Sequence, residues 1–278
     1  MTLTAGLRTL TRPLVLPKLP ALTRVPAGLQ NSEEVADGLW LTSAGRYGVE
    51  EPWVFSRSLL EARLTGRALI IAEYCQIAVM LDGIGFHLRR CRIGSIDRPD
   101  GTHRRPTEDG IRPCPLPGSD LEPLGSTIVD CDIVNTDGRN GSVHMDGVQI
   151  WMGGKLLIKR TRIDGWWQAG VMLKSDWGPI DDVTIDGCSI AGANYFQIRC
   201  IDGGYGRPTN VTVTNCVLAP GVKGGANPMN SGNDRCSVPS QTRYVRTEAE
   251  RLDPTWIVFD GNVYPDGTEV VPPGGWIS

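Results

Sequence analysis

The chain has 278 residues, enough to bury a large core in one elongated domain. Charged residues make up 21% of the sequence and the formal net charge is −3, which argues against a general nucleic-acid-binding protein. The 34 Gly and 20 Pro, with only 6% aromatic residues, favour short strands joined by tight turns over long helices.

The sequence also limits the compartment and the inorganic chemistry. No apolar run approaches the roughly 18–20 residues of a membrane span. Pro13, Pro17, Pro20 and Pro26 break any signal-peptide core, so we expect the chain to fold in a cytoplasm. Eight Cys in that compartment do not predict a disulfide framework. The chain has no CxxC pair and its three His lack metal-ligand spacing, so neither a metal site nor a cofactor is predicted.

The first 52 residues are predicted to form an extended, Pro-rich N-terminal arm. No acidic residue precedes Glu33 and no period is visible, so residues 1–35 either lack a fixed structure or attach to a partner. The pattern becomes strand-like from about Trp53. We therefore place the main domain at residues 53–265.

Two further segments differ from the main domain. Residues 94–125, approximately, are rich in Pro and Gly and are predicted to form an insertion loop that protrudes from one coil. Residues 266–278 are predicted to form a C-terminal tail. Pro272 and Pro273 in this tail prevent strand pairing and so protect the last strand edge.

One short pattern recurs along the main domain, and its clearest copy is Val183–Ile190. Apolar and polar residues alternate, a turn-tolerant corner residue follows, and a small residue precedes one more apolar position. The other copies are Phe86–Ile93, Ser126–Ile133, Leu156–Ile163, Val211–Leu218 and Trp256–Val263. Their small residues Cys91, Cys131, Thr161, Cys188, Cys216 and Gly261 follow at intervals of 40, 30, 27, 28 and 45 residues. This repeat predicts a solenoid in which the small residues, mostly buried thiols, stack in one column.

A second short strand follows three of these copies, at Gly147–Trp151, Gly170–Lys174 and Tyr195–Arg199. Period-two alternation directs Val148, Ile150, Val171, Leu173, Phe196 and Ile198 inward, and Gln149, Trp151, Met172, Lys174, Gln197 and Arg199 outward. A leucine-rich repeat has a similar strand, but only Ile180 occupies its extra upstream apolar position, and the intervening segments are not helical in pattern. The sequence therefore predicts an all-β parallel β-helix.

Three groups of residues are candidates for chemistry. His144 and Asp146 lie two apart at a strand entrance, where they could act as an acid–base pair, although Asp146-Gly147 is also an ordinary turn with His144 capping a loop. If the three second strands lie side by side with their ends aligned, Trp151, Lys174 and Arg199 stack about 4.8 Å apart in one outward column. Such a column suits a sugar that carries a carboxylate or phosphate, and it is equally the solvated face of a sheet.

The third group is the pair Trp166-Trp167, with Asp164, Asp176 and Trp177 nearby. Two adjacent Trp residues cannot both point inward from one strand, so at least one is expected at the surface or under a loop. Core packing at the corner is the structural alternative. The predicted substrate-binding residues are Gln149, Trp151, Arg199, Trp166, Trp167 and Asp176.

Four segments resemble right-handed parallel β-helix proteins of the pectate-lyase-like superfamily: His144–Gln149, Ala169–Asp176, Gly192–Tyr195 and Pro208–Val213. The resemblance spans about residues 57–265 and is greatest to a group common in actinobacteria and their tailed phages. It implies a right-handed, single-stranded β-helix of three sheets, commonly trimeric in phage tail spikes and fibres. The catalytic motifs of pectate lyases and polygalacturonases match poorly, so the resemblance implies a fold more than an activity.

From this resemblance we expect a phage tail component, a minor tail or tail-fibre protein of the virion, assembled in the cytoplasm of a bacterial host. The homotrimer would contact other tail proteins through residues 1–35 and would bind a host-envelope polysaccharide, with no nucleic-acid partner and no membrane span. The alternative is a polysaccharide lyase or hydrolase, for example a tail depolymerase, in which His144, Asp146 and Lys174 perform acid–base catalysis. A host-encoded glycan-binding or scaffold protein is a third hypothesis.

Overall fold

The structure is a computed structural model. It describes Val15 and residues 23–25, 36–37, 39–41, 46–49, 52–61, 63–78, 80–106, 108–115, 120–136, 145–193, 196–201, 203–219 and 257–269. None of these residues forms a helix, and the described part of the chain therefore has no helix long and apolar enough to cross a membrane.

The described strands form three sheets and one separate hairpin. The first sheet contains β1 (Thr23–Val25), β3 (Leu39–Leu41), β6 (Leu59–Leu60), β9 (Gln76–Ile77), β12 (Arg92–Gly94), β17 (Asp132–Val134), β20 (Arg162–Asp164), β23 (Ser189–Ala191) and β26 (Val217–Leu218). The second contains β2 (Ala36–Asp37), β5 (Trp53–Ser56), β8 (Ile70–Glu73), β11 (Phe86–Arg89), β16 (Ser126–Val129), β19 (Gly153–Lys159), β22 (Ile180–Asp186), β25 (Thr209–Thr214) and β27 (Ile257–Asp260). The third contains β4 (Arg46–Val49), β7 (Arg63–Gly66), β10 (Met80–Gly83), β15 (Ile111–Arg112), β18 (Val148–Ile150), β21 (Ala169–Lys174) and β24 (Phe196–Ile201).

The chain passes from the third sheet to the second and then to the first, and each such passage is one coil. Strands of successive coils pair in parallel in all three sheets, for example β19 with β22 and β21 with β24. The predicted single-stranded parallel β-helix is therefore confirmed.

The core consists of columns of apolar residues, one residue per coil and sheet. In the central coils Ile133, Ile163 and Ile190 follow one another in the first sheet, and each is fully buried. The third sheet contributes a similar column through Val148 and Val171. Burial of each such side chain contributes about 1.5–3 kcal/mol, so the columns hold the coils together.

One residue per coil adopts a left-handed backbone at the corner between the second and first sheets. The described corner residues are Arg57, Tyr74, Arg90, Asp130, Arg160, Gly187, Asn215 and Gly261, with φ between 44° and 62°. This conformation turns the chain sharply between the two strands. Arg160 also binds Asp130 of the preceding coil through two hydrogen bonds of 2.7 and 3.0 Å, and this guanidinium lowers the pKa of the Asp130 carboxyl.

The predicted column of small residues directly follows this corner. The amide of Cys91 donates to Cys131 Sγ (3.4 Å), that of Cys131 to Thr161 Oγ1 (3.3 Å), and that of Cys188 to Cys216 Sγ (3.4 Å). Burial raises the pKa of the Cys91 and Cys188 thiols well above the usual value, so these thiols stay protonated at neutral pH.

The last copy of the repeat is shifted by one residue from the predicted alignment. Val213 pairs with Phe259, which places Gly261 at the left-handed corner. Asn262, rather than Gly261, occupies the column of small residues, where its Oδ1 accepts the amide of Cys216 (2.9 Å). A glycine satisfies the corner at no steric cost, and an Asn side chain can continue the acceptor column.

Two predicted irregular segments contain strands where they are described. Most of the arm at residues 1–52 lies outside the described residues, but β1 to β4 pair with strands of the next coils. In the insertion at about 94–125, β13 (Ile96–Asp97) and β14 (His103–Arg104) form an antiparallel hairpin, and β15 joins the third sheet. The hairpin is attached through Arg98, whose Nη2 lies 2.7 Å from the buried Glu61 carboxylate.

The corner can be tested at Gly187, where φ is 61° and an added β-carbon would meet only the Arg160 side chain at 3.7 Å. Because space is available, Gly187→Ala isolates the cost of the left-handed backbone. We expect the free energy of unfolding in urea to fall by about 1 kcal/mol, and Gly187→Asn to restore part of it. Equal stability of Gly187→Ala and the wild type would contradict the corner geometry.

Candidate functional site

The register of the third sheet corrects one predicted column. Trp151 and Lys174 are neighbours in adjacent coils, as predicted, since the residues before them pair. Arg199, however, pairs with Met172, so the prediction that Arg199 extends the Trp151–Lys174 column is wrong by two residues. A shift by two residues leaves the alternation of inward and outward side chains unchanged, so the side-chain pattern alone does not reveal this register.

The outer face of the third sheet is covered rather than solvated. Gln149, Met172 and Gln197 were predicted to point outward, but their exposed fractions are 2%, 1% and 0%. Alternation identifies which face a side chain occupies, and it does not show what lies over that face. Polar residues on this face therefore have to find partners within the protein.

Asp109, Arg112, Asp146 and Gln149 form a buried carboxylate cluster on this face. The Asp146 side chain accepts the amide of Ala169 (2.7 Å) and the side-chain amide of Gln149 (3.1 Å). Asp109 Oδ1 accepts the backbone amide of Asp146 (2.8 Å), and its Oδ2 lies 3.4 Å from Arg112 Nη1. The Asp109 carboxylate thus contacts both the backbone amide of Asp146 and the Arg112 guanidinium.

Burial raises the pKa of the Asp146 carboxyl well above its usual range, and the neighbouring Asp109 charge raises it further. The amide bond from Ala169 and the charge of Arg199 act in the opposite direction. A carboxyl with a raised pKa holds a proton at a pH where an ordinary Asp has lost it. The cluster is therefore the part of this face that responds to pH.

A partly exposed group of side chains lies beside the cluster, and we call Trp151, Lys174, Asp176, Trp177 and Tyr205 the aromatic edge. The Trp151 and Trp177 rings meet at 67° with centroids 3.8 Å apart. Tyr205 is 59% exposed. Lys174 Nζ lies 2.8 Å from Asp176 Oδ2.

Backbone hydrogen bonds stack the turns that carry this edge. The Trp177 amide donates to the Trp151 carbonyl (3.0 Å), and the Tyr205 amide donates to the Ser175 carbonyl (3.3 Å). The turns after β18, β21 and β24 therefore follow one another along the solenoid. The guanidinium of Arg112 lies 4.4 Å from the centre of the Trp151 ring, which connects the aromatic edge to the buried carboxylate cluster.

The predicted Trp pair lies elsewhere, at the corner after β20. Trp166 is fully buried, and its Nε1 donates to the Ile133 carbonyl (3.2 Å). Its ring packs so closely on Gly110 that a β-carbon there would come within 2.8 Å. Trp167 is half-buried against the core. Trp166 is therefore a core residue, in agreement with the structural alternative, and it presents no surface to a ligand.

The remaining predicted site residues divide between the two groups. Asp146 and Gln149 belong to the cluster, while Trp151, Lys174 and Asp176 belong to the edge. Arg199 lies near the cluster, where its charge acts on Asp146. His144 lies outside the described residues, so its pairing with Asp146 stays a prediction.

Sequence reasoning missed Asp109, Arg112 and Tyr205. A signal for the first two existed, because Gly110-Ile-Arg112 has the same pattern as Gly147-Val-Gln149 and Gly170-Val-Met172, the starts of the next coils of the third sheet. The surrounding Pro residues concealed it. Tyr205 has no comparable signal, since it lies in a turn without periodicity.

Comparison with known proteins supports the fold and not a particular activity. The family described as the right-handed beta helix region matches residues 114–238. The match includes Asp146, Gln149 and the whole aromatic edge, and the coils are right-handed, as the resemblance implied. A search of the curated proteins and a search of the solved structures each gave no match.

Asp146→Asn tests the electrostatics of the cluster. Because the pKa of Asp146 is raised in the folded protein, this residue contributes fully to stability below about pH 4, which is the pKa of an Asp in the unfolded chain. The contribution is lost as the pH rises through the pKa of the folded protein. Asn does not ionise, and its amide can donate to Gln149. The free energy of unfolding of the variant, relative to the wild type, should therefore increase by ~1–3 kcal/mol between pH 4 and pH 7.5, as measured by urea denaturation.

Asp181→Asn is the matched control, because hydrogen bonds from Thr209 and Asn210 lower the pKa of this exposed carboxyl. Its contribution is present above the unfolded pKa and is lost as the pH falls through the folded pKa. The relative stability of this variant should therefore stay nearly constant between pH 4 and pH 7.5, and should change in the opposite direction only below about pH 4. The same pH dependence in both variants would rule out a specific effect of burial at Asp146.

Proposed function

We propose that the chain is a glycan-binding component of a phage tail, a minor tail or tail-fibre protein, whose β-helix presents the aromatic edge to a host-envelope polysaccharide. The observation that carries the proposal is the edge itself. Trp151, Trp177 and Tyr205 lie on stacked turns, and charged atoms of Lys174 and Asp176 lie beside them.

The chemistry of the edge suits a sugar. Aromatic rings contact the apolar C–H faces of sugar rings, and nearby charged groups form hydrogen bonds with hydroxyl or carboxyl groups. The Lys174 side chain is 39% exposed and that of Asp176 is 26% exposed, so both can reach a ligand without leaving their ion pair. The edge runs along the solenoid axis, which favours an extended chain of sugars over a single compact molecule.

The position of this edge on a solenoid supports the proposed setting in a tail. Parallel pairing in every coil makes a rod that resists bending, and a rod is an effective way to hold a binding surface away from a particle. Within the proposal, residues 1–35, with Arg8, Arg12, Lys18 and Arg24, attach the chain to other tail proteins. The proteins that the sequence resembles suggest that three chains associate in the virion.

A polysaccharide lyase or hydrolase is the second candidate, and the raised pKa of Asp146 favours it. A carboxyl that retains its proton is what a general acid requires. However, Asp146 is 0% exposed, and its two oxygens already accept bonds from Ala169 and Gln149. Lys174 is paired with Asp176. These contacts favour binding over catalysis.

Trp177→Ala should weaken binding to purified actinobacterial cell-wall polysaccharide by about tenfold, because one aromatic–sugar contact contributes on the order of 1 kcal/mol or more. Calorimetry or a pull-down with the insoluble polymer would measure it. Val258→Ala, at a residue that is 50% exposed on the second sheet, is the control and should bind like the wild type.

The same incubation separates the two candidates. Affinity without new products supports recognition. New reducing ends or unsaturated sugars that disappear in Asp146→Asn would establish the enzyme instead. Binding that Trp177→Ala leaves unchanged would place the ligand elsewhere on the solenoid.

The proposed location is tested on purified phage particles. Antibodies against the chain should label the tail, and chemical cross-linking of the same particles should give a species of three chains. Recovery of the chain only from the soluble host extract, with none in the particles, would contradict the virion role while leaving glycan binding intact.

A further inference from the structure

A continuous set of contacts joins the buried carboxylate cluster to the aromatic edge. The Asp146 amide donates to Asp109 Oδ1 (2.8 Å), and Asp109 Oδ2 lies 3.4 Å from Arg112 Nη1. The guanidinium of Arg112 in turn lies 4.4 Å from the centre of the Trp151 ring. A change of charge at the carboxylates therefore occurs directly behind the surface that would contact a ligand.

Positively charged groups face both carboxylates. Arg112 lies against Asp109 within the cluster, and the charge of Arg199 from β24 acts on Asp146. At the edge, Lys174 and Asp176 compensate each other. Uptake of one proton by the carboxylate pair makes this region more positive by one charge, in surroundings that screen it less than water does.

The structure also provides a place for that proton. Gln149 is 2% exposed, and its Nε2 donates to Asp146 Oδ2 (3.1 Å), while its Oε1 has no hydrogen-bond partner. If Asp146 is protonated, rotation of the Gln149 amide lets the new O–H donate to Oε1. The proton thereby gives Oε1 a donor, in exchange for the bond from Nε2 to the ionised carboxylate.

We propose that the aromatic edge takes an acidic glycan and that proton uptake by the Asp109–Asp146 pair strengthens its binding. This inference rests on the proposed glycan-binding function and adds to it the sign of the ligand charge and a means of regulation. The acidic group is a carboxylate or a phosphodiester of the glycan, and both keep their charge between pH 5 and pH 7.5. By reciprocity, a bound anion stabilises the protonated pair, so binding takes up protons from solution.

Calorimetric titration with hexagalacturonate at pH 5 and pH 7.5 tests the inference. The dissociation constant should be about fivefold larger at pH 7.5, the lower end of common coupling between two sites. Cellohexaose, of equal length and without charge, should show no pH dependence. A glycerol-phosphate polymer fragment replaces the uronate in a parallel series and shows whether carboxylate or phosphodiester is preferred.

Asp146→Asn removes the titrating group and should bind the anionic probe at pH 7.5 nearly as tightly as the wild type does at pH 5. Asp181→Asn, at an exposed carboxyl on the second sheet, should retain the wild-type pH dependence. A second measurement uses the wild type alone. Titrations near pH 6 in two buffers of different ionisation enthalpy report the protons taken up per ligand, and we expect a positive fraction.

The outcomes distinguish a failure of the proposed glycan-binding function from a failure of the proposed pH regulation. Absence of binding to every acidic and neutral probe at both pH values would overturn the proposed function. Binding with equal affinity at both pH values and no proton uptake would overturn the inference and leave the function standing. Tighter binding of the neutral probe than of either acidic probe would contradict the assigned ligand charge.

Discussion

Parallel backbone pairing between successive coils is the constraint on which the whole structure depends. Each strand finds its hydrogen-bond partners in the coils before and after it, so residues at equivalent positions lie at the strand spacing from one another. Any feature of one coil must therefore be compatible with the same feature in the next. Apolar columns, left-handed corners and rows of small side chains are three results of this single requirement.

The same constraint explains why much of the fold could be predicted from the sequence. The corner leaves a readable mark where Gly, Asn or Asp occupies it, as at Gly187 before Cys188, because these residues tolerate the left-handed conformation best. The same corner carries no such mark where it is occupied by Arg57, Tyr74, Arg90 and Arg160. The column of small residues leaves another mark. Prediction failed in the last copy of the repeat, where Gly261 and Asn262 each fit either position and only the strand pairing decides between them.

The site was harder to predict, because its parts come from places where the repeat is weakest. Arg112 lies in a strand of only two residues among Pro residues, and Asp109 lies two residues before that strand begins. The position of Arg199 depends on a strand register that differs from the predicted one by two residues, and such a shift leaves the inward and outward alternation unchanged. Residue types alone identified Asp146 and Trp151, and only the three-dimensional structure joins them through Asp109 and Arg112.

The stacking of coils also explains why the carboxylate cluster is buried while the aromatic edge is partly exposed. Side chains in the third-sheet strands and at their entrances are buried, so the Asp146 carboxylate just before β18 must be neutralised, protonated or hydrogen-bonded. Residues at the strand ends, such as Trp151 and Trp177, lie on turns that repeat at each coil and remain partly exposed. A ligand can therefore contact the turns without reaching the carboxylates. The guanidinium of Arg112 nevertheless lies close to the Trp151 ring, so a change of charge in the buried cluster acts at short range on this edge.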